Sequence, residues 1–186
     1  MKKSFIIMLL VSAIIITGCG TKNEGVKAET KTEYFDFTES EMVDKLSTDW
    51  LIDFTPIAVV DNKEKTGKIA SYTAEVPVLN MGGEGDANMM HYLFAYDDTT
   101  NEVSHISFFT NRDEQKAAEY FLYHIYAISQ SIDQNANTDD ITTAIKNGFN
   151  ECDFATYNGV NFELNAFRND EYFDASFTPI QNTKGD

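Results

Sequence analysis

Short turns join most of the strand-like segments of this sequence, and this feature constrains its fold more than any other. Strands joined by a short turn pair antiparallel, because a parallel pair needs a long crossover connection. The order along the chain reads as a helix, a strand meander, two helices and a second meander. We therefore expect an α+β fold, a mainly antiparallel sheet with helices packed on one face. Two helix-plus-meander halves are one arrangement of that fold.

Local signals place the elements along the chain. Thr38 and Glu41 form a capping box that opens the first helix. Gly148 marks the end of the third helix. Asn158-Gly159 predicts a two-residue type I′ turn between two strands. The predicted helices cover residues 39–50, 112–131 and 138–148, and the predicted strands cover residues 54–60, 69–79, 90–96, 102–110, 152–157, 160–167 and 172–178.

The first residues carry the features of an export signal. Two lysines precede an apolar run over residues 5–16, which is shorter than the roughly 20 residues of a membrane span. The run ends in Ile16-Thr17-Gly18-Cys19. This sequence resembles the lipobox of bacterial lipoproteins, in which an aliphatic residue and two small residues precede a cysteine. The resemblance implies cleavage before Cys19, diacylglycerol on the Cys19 sulfur and a lipid anchor on the extracytoplasmic face of a bacterial cell membrane.

The chain then divides by composition. Residues 1–18 form the predicted lipoprotein signal peptide, and the polar residues 19–33 form a lipidated, flexible tether. A single α+β domain is expected over residues 34–180, followed by a frayed tail at residues 181–186.

The acidity of the chain limits its partners. The formal net charge is −16 at pH 7, and loss of Lys2 and Lys3 with the signal peptide lowers it to −18. This charge repels phosphate backbones, and no cluster of basic residues offsets it, so we expect no nucleic-acid partner. It favours a cationic protein or peptide instead.

No pattern of nucleophilic catalysis or metal binding stands out. The sequence has no Gly-x-Ser-x-Gly motif and no His-x-x-x-His spacing. If Asp97 pairs with Glu102, then His91 and His105 lie on opposite faces of a hairpin and cannot share an ion, whereas a one-residue slip in the register would reverse this. The acidic turns at residues 82–86 and 97–102 do not match a calcium-binding loop. We therefore predict no catalytic residue, no metal site and no cofactor.

The second cysteine is expected to be structural. With Cys19 acylated, Cys152 has no cysteine partner. Its acidic neighbours are not the electropositive setting in which a cysteine becomes a nucleophile. We therefore expect Cys152 to be a small buried hydrophobe.

The hairpin over residues 90–110 is apolar on both faces. The same register places Tyr92, Phe94 and Tyr96 on one face with Val103 and Phe109, and the other face carries Leu93, Ala95, Ile106 and Phe108. Either the hairpin is covered on both sides, or one face is an exposed aromatic platform. Exposed aromatic side chains within an acidic surface are typical of protein-binding patches. The candidate ligand-binding residues are therefore Tyr92, Phe94, Tyr96 and Phe109.

These observations favour a membrane-anchored lipoprotein that is not an enzyme. Its acidic domain is expected to bind a cationic protein or peptide in an inhibitor, immunity or sequestering role. A small carboxylate-dependent hydrolase of envelope material and an accessory subunit of a membrane complex are the alternatives. An enzyme would have a cleft with converging carboxylates of perturbed pKa, whereas a binding protein would have a flat or concave sheet face without them.

Overall fold

The computed structural model describes residues 34–63, 67–76, 89–111 and 117–180. The predicted signal peptide, the tether with Cys19 and the C-terminal tail lie outside these residues. Within them the chain forms α1 (Glu39–Asp49), β1 (Asp53–Asp61), β2 (Lys68–Glu75), β3 (Met90–Tyr96), β4 (Val103–Asn111), α2 (Ala117–Ile132), α3 (Thr138–Glu151), β5 (Phe154–Asn158), β6 (Phe162–Arg168) and β7 (Tyr172–Pro179).

The described strands form one antiparallel sheet in the order β1-β2-β3-β4-β7-β6-β5. The first meander runs from β1 to β4 and the second from β5 to β7. The last strand of each meander, β4 and β7, pair with one another at the centre of the sheet. The two predicted meanders are therefore parts of a single sheet, and the predicted α+β class is confirmed.

The helices pack on one face of this sheet. Helix α2 contacts β4 and β7 at the centre, while α1 contacts β1 and α3 contacts β5 and β6. No helix in the described ranges is long and apolar enough to cross a membrane. The core between helices and sheet is rich in aromatic residues, and its largest fully buried side chains are Tyr92, Phe94, Phe108, Phe121, Phe162 and Phe177.

The predicted capping box is present at α1. The Thr38 hydroxyl accepts a hydrogen bond from the Glu41 backbone N–H at 3.3 Å, and the Glu41 carboxylate accepts one from the Thr38 backbone N–H at 2.8 Å. These hydrogen bonds to the charged form lower the pKa of Glu41. The first helix therefore begins where the sequence places it.

The predicted end of α3 at Gly148 is wrong, because the helix continues to Glu151. Gly148 lies inside the helix, on the side that faces β5. A Cβ atom at this position would overlap the Phe154 carbonyl oxygen and would lie 2.6 Å from the Ala155 Cα. The glycine therefore permits close packing between α3 and β5.

The predicted turn at Asn158-Gly159 lies two residues too early. The Gly159 N–H donates to the Phe162 carbonyl at 2.8 Å, so Val160 and Asn161 form the turn. Neither of these two residues has a positive φ, so the turn is not type I′. Gly159 instead makes room for the Phe162 ring, since a Cβ there would lie 2.8 Å from it.

Cys152 is exposed, contrary to the expectation that it is buried. Because α3 extends to Glu151, Cys152 falls in the turn between α3 and β5 rather than within a strand. Asp153 then adopts a left-handed φ of 59°, which reverses the chain into β5. The Cys152 thiol donates weakly to the Phe154 carbonyl at 3.5 Å.

Candidate ligand-binding face of the sheet

A β-bulge decides which aromatic residues of β4 share a face of the sheet with those of β3. The hairpin closes between Asp97 and Glu102, as the sequence predicts. Tyr96 pairs with Val103, but Ala95 pairs with His105, which leaves Ser104 as an extra residue in β4. The Ser104 hydroxyl donates to the Ala95 carbonyl at 3.2 Å. Because strand side chains alternate between faces, this extra residue moves each later side chain of β4 to the other face.

The predicted aromatic platform is therefore wrong. Tyr92 and Phe94 lie on the inner face and are fully buried beneath the helices. Tyr96 is half-buried and packs against the same core. Phe109 lies on the opposite face, where 40% of it is exposed. The bulge turns the inner faces of β3 and β4 into one aromatic layer of the core.

Tyr92 has a structural role in this core. Its hydroxyl and His124 Nδ1 of α2 share a hydrogen bond of 2.6 Å, and both groups are fully buried. Burial lowers the pKa of His124 to about 3 and raises the pKa of Tyr92. Both side chains are therefore neutral at pH 7, and their shared hydrogen bond satisfies the Tyr92 hydroxyl and His124 Nδ1 where water does not reach.

The opposite face of the sheet is not covered by any described helix. Because directly paired residues point to the same face, the strand register defines a row of side chains across it. We call this set the Asp174 row, and from β1 to β5 it contains Thr55, Thr73, His91, Phe109, Asp174, Phe167 and Phe154.

Asp174 lies between aromatic residues on both neighbouring strands. Phe109 of β4 and Phe167 of β6 are its direct partners in the register, and such partners have Cβ atoms about 4.5–5.5 Å apart. The His91 ring stacks on Phe109 with ring centres 4.9 Å apart. Tyr172 extends the aromatic surface, with its ring 6.3 Å from that of Phe167. From His91 to Phe154 the row is therefore a stripe of aromatic rings, and the Asp174 carboxylate is the one non-aromatic side chain within it.

The surroundings of Asp174 disfavour its charge. Burial among the apolar rings raises the pKa of its carboxyl group to about 6. Among the described residues, no side chain donates a hydrogen bond to this carboxylate or forms an ion pair with it. At pH 7 the group is therefore ionised without a counter-charge from the described part of the chain, and a bound cation would supply one.

From β4 to β5 the next row of the same face is polar. Ser107, Ser176, Asn165 and Thr156 follow one another across β4, β7, β6 and β5. The Thr156 hydroxyl donates to Asn165 Oδ1 at 2.9 Å, and Asn165 Nδ2 donates to the Glu163 carboxylate at 2.9 Å. Hydroxyl groups beside an aromatic stripe can hydrogen bond to the backbone of a ligand that lies on the stripe.

The two hairpin histidines lie on the same face, contrary to the prediction. The bulge is again the reason, because it puts His105 opposite Ala95 while His91 stays opposite Phe109. Four positions separate the two histidines along the sheet, which is about 13 Å. Among the residues that the structure describes, no group of three or more His, Cys, Asp and Glu side chains is placed to hold a metal ion.

Two shallow cavities lie on the helical side, where α1 meets the end of α2. Their volumes are about 240 and 270 Å³, and both are lined by Lys45 and Ser131. The Lys45 ammonium donates to the Ser131 carbonyl at 2.7 Å between them. These cavities are polar, and the carboxylate with a raised pKa, Asp174, lies on the other side of the sheet.

Sequence reasoning missed Asp174 and Phe167 as site residues. Because side chains alternate between the two faces along β7, Asp174 lies on the face opposite its buried neighbours Phe173 and Ala175. The missing information was the strand order, because β4 and β6 flank β7 only in the folded sheet.

Comparison of the chain with protein-family models, curated proteins and solved structures finds no match. The functional argument therefore rests on the geometry of this face.

Proposed function

We propose that the face of the sheet that no described helix covers binds a protein or peptide ligand through an arginine or lysine side chain placed at Asp174. The Asp174 row carries this proposal. An ionised carboxylate with phenylalanine rings on both sides suits a cationic side chain, because the cation pairs with the carboxylate and lies against the rings. A guanidinium group suits the site best, since it is planar and weakly hydrated.

The charge of the molecule supports the same class of partner. A formal net charge of −16 attracts cationic proteins and speeds their encounter with the domain. The neighbouring row of Ser107, Ser176, Asn165 and Thr156 offers hydrogen bonds to the ligand around the seated cation. Charge therefore favours the encounter, while the Asp174 row selects the side chain.

In this proposal the protein is a lipid-anchored binding protein and not an enzyme. Acylated Cys19 and the tether of residues 19–33 would hold the domain at the extracytoplasmic face of a bacterial membrane. An inhibitor, an immunity protein and a sequestering protein would all use a face of this kind. Glycoside hydrolysis uses a pair of carboxyl groups, whereas the Asp174 row contains one, so the hydrolase alternative has less support.

Direct titration tests the proposal. The probe is a synthetic Gly-Arg-Gly-Arg-Gly peptide, and the same peptide with citrulline in place of arginine removes its charge. The protein is the chain from residue 20, which contains every described element. Asp174→Asn removes the carboxylate from the row, and the matched control Asp44→Asn removes the same charge from an exposed position on α1.

We expect the arginine peptide to bind the unsubstituted chain and Asp44→Asn with equal Kd. Asp174→Asn should weaken its binding about tenfold, because a charge-assisted pair is lost. The citrulline peptide should bind all three proteins as weakly as the arginine peptide binds Asp174→Asn. Equal binding of the arginine peptide to all three proteins would show that acidity alone attracts it, and the proposal would fail.

A further inference from the structure

Strand β1 forms one edge of the sheet and has the features of an interaction surface. It is nine residues long, Asp53–Asp61, and it pairs with β2 on one side only among the described strands. The strand at the other edge, β5, is five residues long. The outward backbone groups of an edge strand are a template for pairing with another chain.

The second half of β1 is apolar and exposed. Ile57, Val59 and Val60 are 52%, 59% and 46% exposed, and Ala58 between them is exposed as well. Proteins usually protect an edge with lysine, proline or a bulge. In β1 the proline is Pro56 and the bulge follows it at Ile57, so neither device lies beyond the first residue of the exposed apolar segment. Residues 57–60 therefore keep backbone groups and apolar side chains that another strand can use.

Charge decides which kind of strand fits this edge. Asp53 and Asp61, the first and last residues of β1, are both exposed. Two copies of β1 paired antiparallel would set Asp53 of each copy opposite Asp61 of the other. Like charges directly opposite one another destabilise a strand pair, so a second copy fits poorly. A strand with basic residues at both ends would form favourable pairs with the same two carboxylates.

We infer that the β1 edge is a strand-addition site for an extended segment of a partner polypeptide, with an apolar middle and basic residues at its ends. Main-chain hydrogen bonds would supply affinity, and the apolar and acidic side chains of β1 would supply specificity. This inference does not depend on the proposed role of Asp174, which lies on the face of the sheet and not at its edge.

A designed strand tests the inference. The probe is the nine-residue peptide Lys-Val-Thr-Val-Thr-Val-Thr-Val-Lys with blocked termini, which matches the length of β1, and its counterpart has glutamate at both ends. Val59→Lys places a charge in the middle of the edge. Val160→Lys is the matched control, because Val160 lies in the β5–β6 turn and is equally exposed at 59%. Peptide binding is measured by fluorescence anisotropy, and the amides of residues 57–60 are followed by hydrogen exchange.

We expect the lysine-ended peptide to bind the unsubstituted chain and Val160→Lys and to slow exchange of amides in residues 57–60. Val59→Lys should weaken binding about tenfold without a lower melting temperature, and the glutamate-ended peptide should not bind. Asp174→Asn should bind the peptide as the unsubstituted chain does. Unchanged amide exchange, or equal losses in the two lysine variants, would overturn the inference. Protection of the same amides by self-association would also overturn it, in favour of a second copy.

Discussion

Asp174 holds a charge at a position where the fold itself disfavours that charge. Replacing it by a neutral side chain of similar shape would remove this cost, so the position is not optimised for stability of the unliganded chain. Unfavourable charges of this kind are commonly found at functional sites. The change in the free energy of unfolding caused by Asp174→Asn therefore measures how much this charge destabilises the fold.

The pH dependence of that stability follows from the pKa. The folded-state pKa is about 6, above the ordinary value of 3.8. Between these values the folded chain binds a proton that the unfolded chain has released, so stability falls as pH rises from about 4 to about 6. Because the side chain is partly exposed, we expect Asp174→Asn to raise the free energy of unfolding by only about 1–2 kcal/mol at pH 7, with no gain near pH 4.

Urea unfolding at pH 4, 5.5 and 7 measures this difference. Asp44→Asn is again the control, because removing any carboxylate from so acidic a chain relieves some general repulsion. The gain of Asp174→Asn over this control should appear between pH 4 and pH 6. A gain that is equal at all three pH values would show that Asp174 is not desolvated.

At the scale of the elements, the close contact between α3 and β5 should reverse the usual effect of a glycine-to-alanine substitution in a helix. Glycine to alanine inside a helix ordinarily stabilises a protein by roughly 0.5–1 kcal/mol. At Gly148 the new methyl group would meet backbone atoms of Phe154 and Ala155, which cannot move unless the helix and the strand separate. We expect Gly148→Ala to destabilise the protein by about 1–3 kcal/mol.

Asn147→Ala provides the comparison, since Asn147 is the adjacent residue of α3 and is exposed. It should stabilise the protein by a few tenths of a kcal/mol, as expected from helix propensity alone. Thermal unfolding of the two variants distinguishes the signs. An increase in melting temperature for Gly148→Ala would mean that α3 does not pack this closely on β5.

Sequence patterns predicted the elements and the class of fold because their signals are local. The capping box at Thr38 and the strand signals depend on residues a few places apart; the capping box agrees with the structure, and the predicted strands overlap the observed ones, with β5 and β6 shifted by one or two residues. The bulge at Ser104 has no such signal, since its sequence is compatible with a regular hairpin. One extra residue there puts Phe108 on the inner face beside Tyr92 and turns Phe109, which was predicted to lie with Tyr92 and Phe94, to the outer face.

The candidate site was harder to predict than the elements. The Asp174 row depends on β4 pairing with β7 and on β6 pairing with β7 on its other side. The first of these pairings joins segments more than 60 positions apart in the chain, and no alternation pattern reports it. Sequence reasoning named Phe109 among the candidate residues, but it did not identify Asp174, Phe167 or the other residues of the row.

At the scale of the whole molecule, the two meanders share one core. Phe121 of α2 bridges them, with ring centres 5.5 Å from Phe108 of β4 and 5.2 Å from Phe173 of β7. All three side chains are buried. Neither meander can bury the inner face of its last strand, β4 or β7, without this helix and the other meander. The chain should therefore unfold as one unit and not as two halves.

Two probes on opposite sides of the molecule test that cooperativity. Trp50 is the single tryptophan of the chain, and it packs against Tyr123 on the side of α1. Hydrogen exchange at the buried positions Ala155 and Leu164 reports on β5 and β6. In urea, Trp50 fluorescence and exchange at these amides should give the same free energy of unfolding. If β5 and β6 exchanged at a lower urea concentration, the second meander would be a separate folding unit, because the shared contacts of Phe121 would then not couple it to the first.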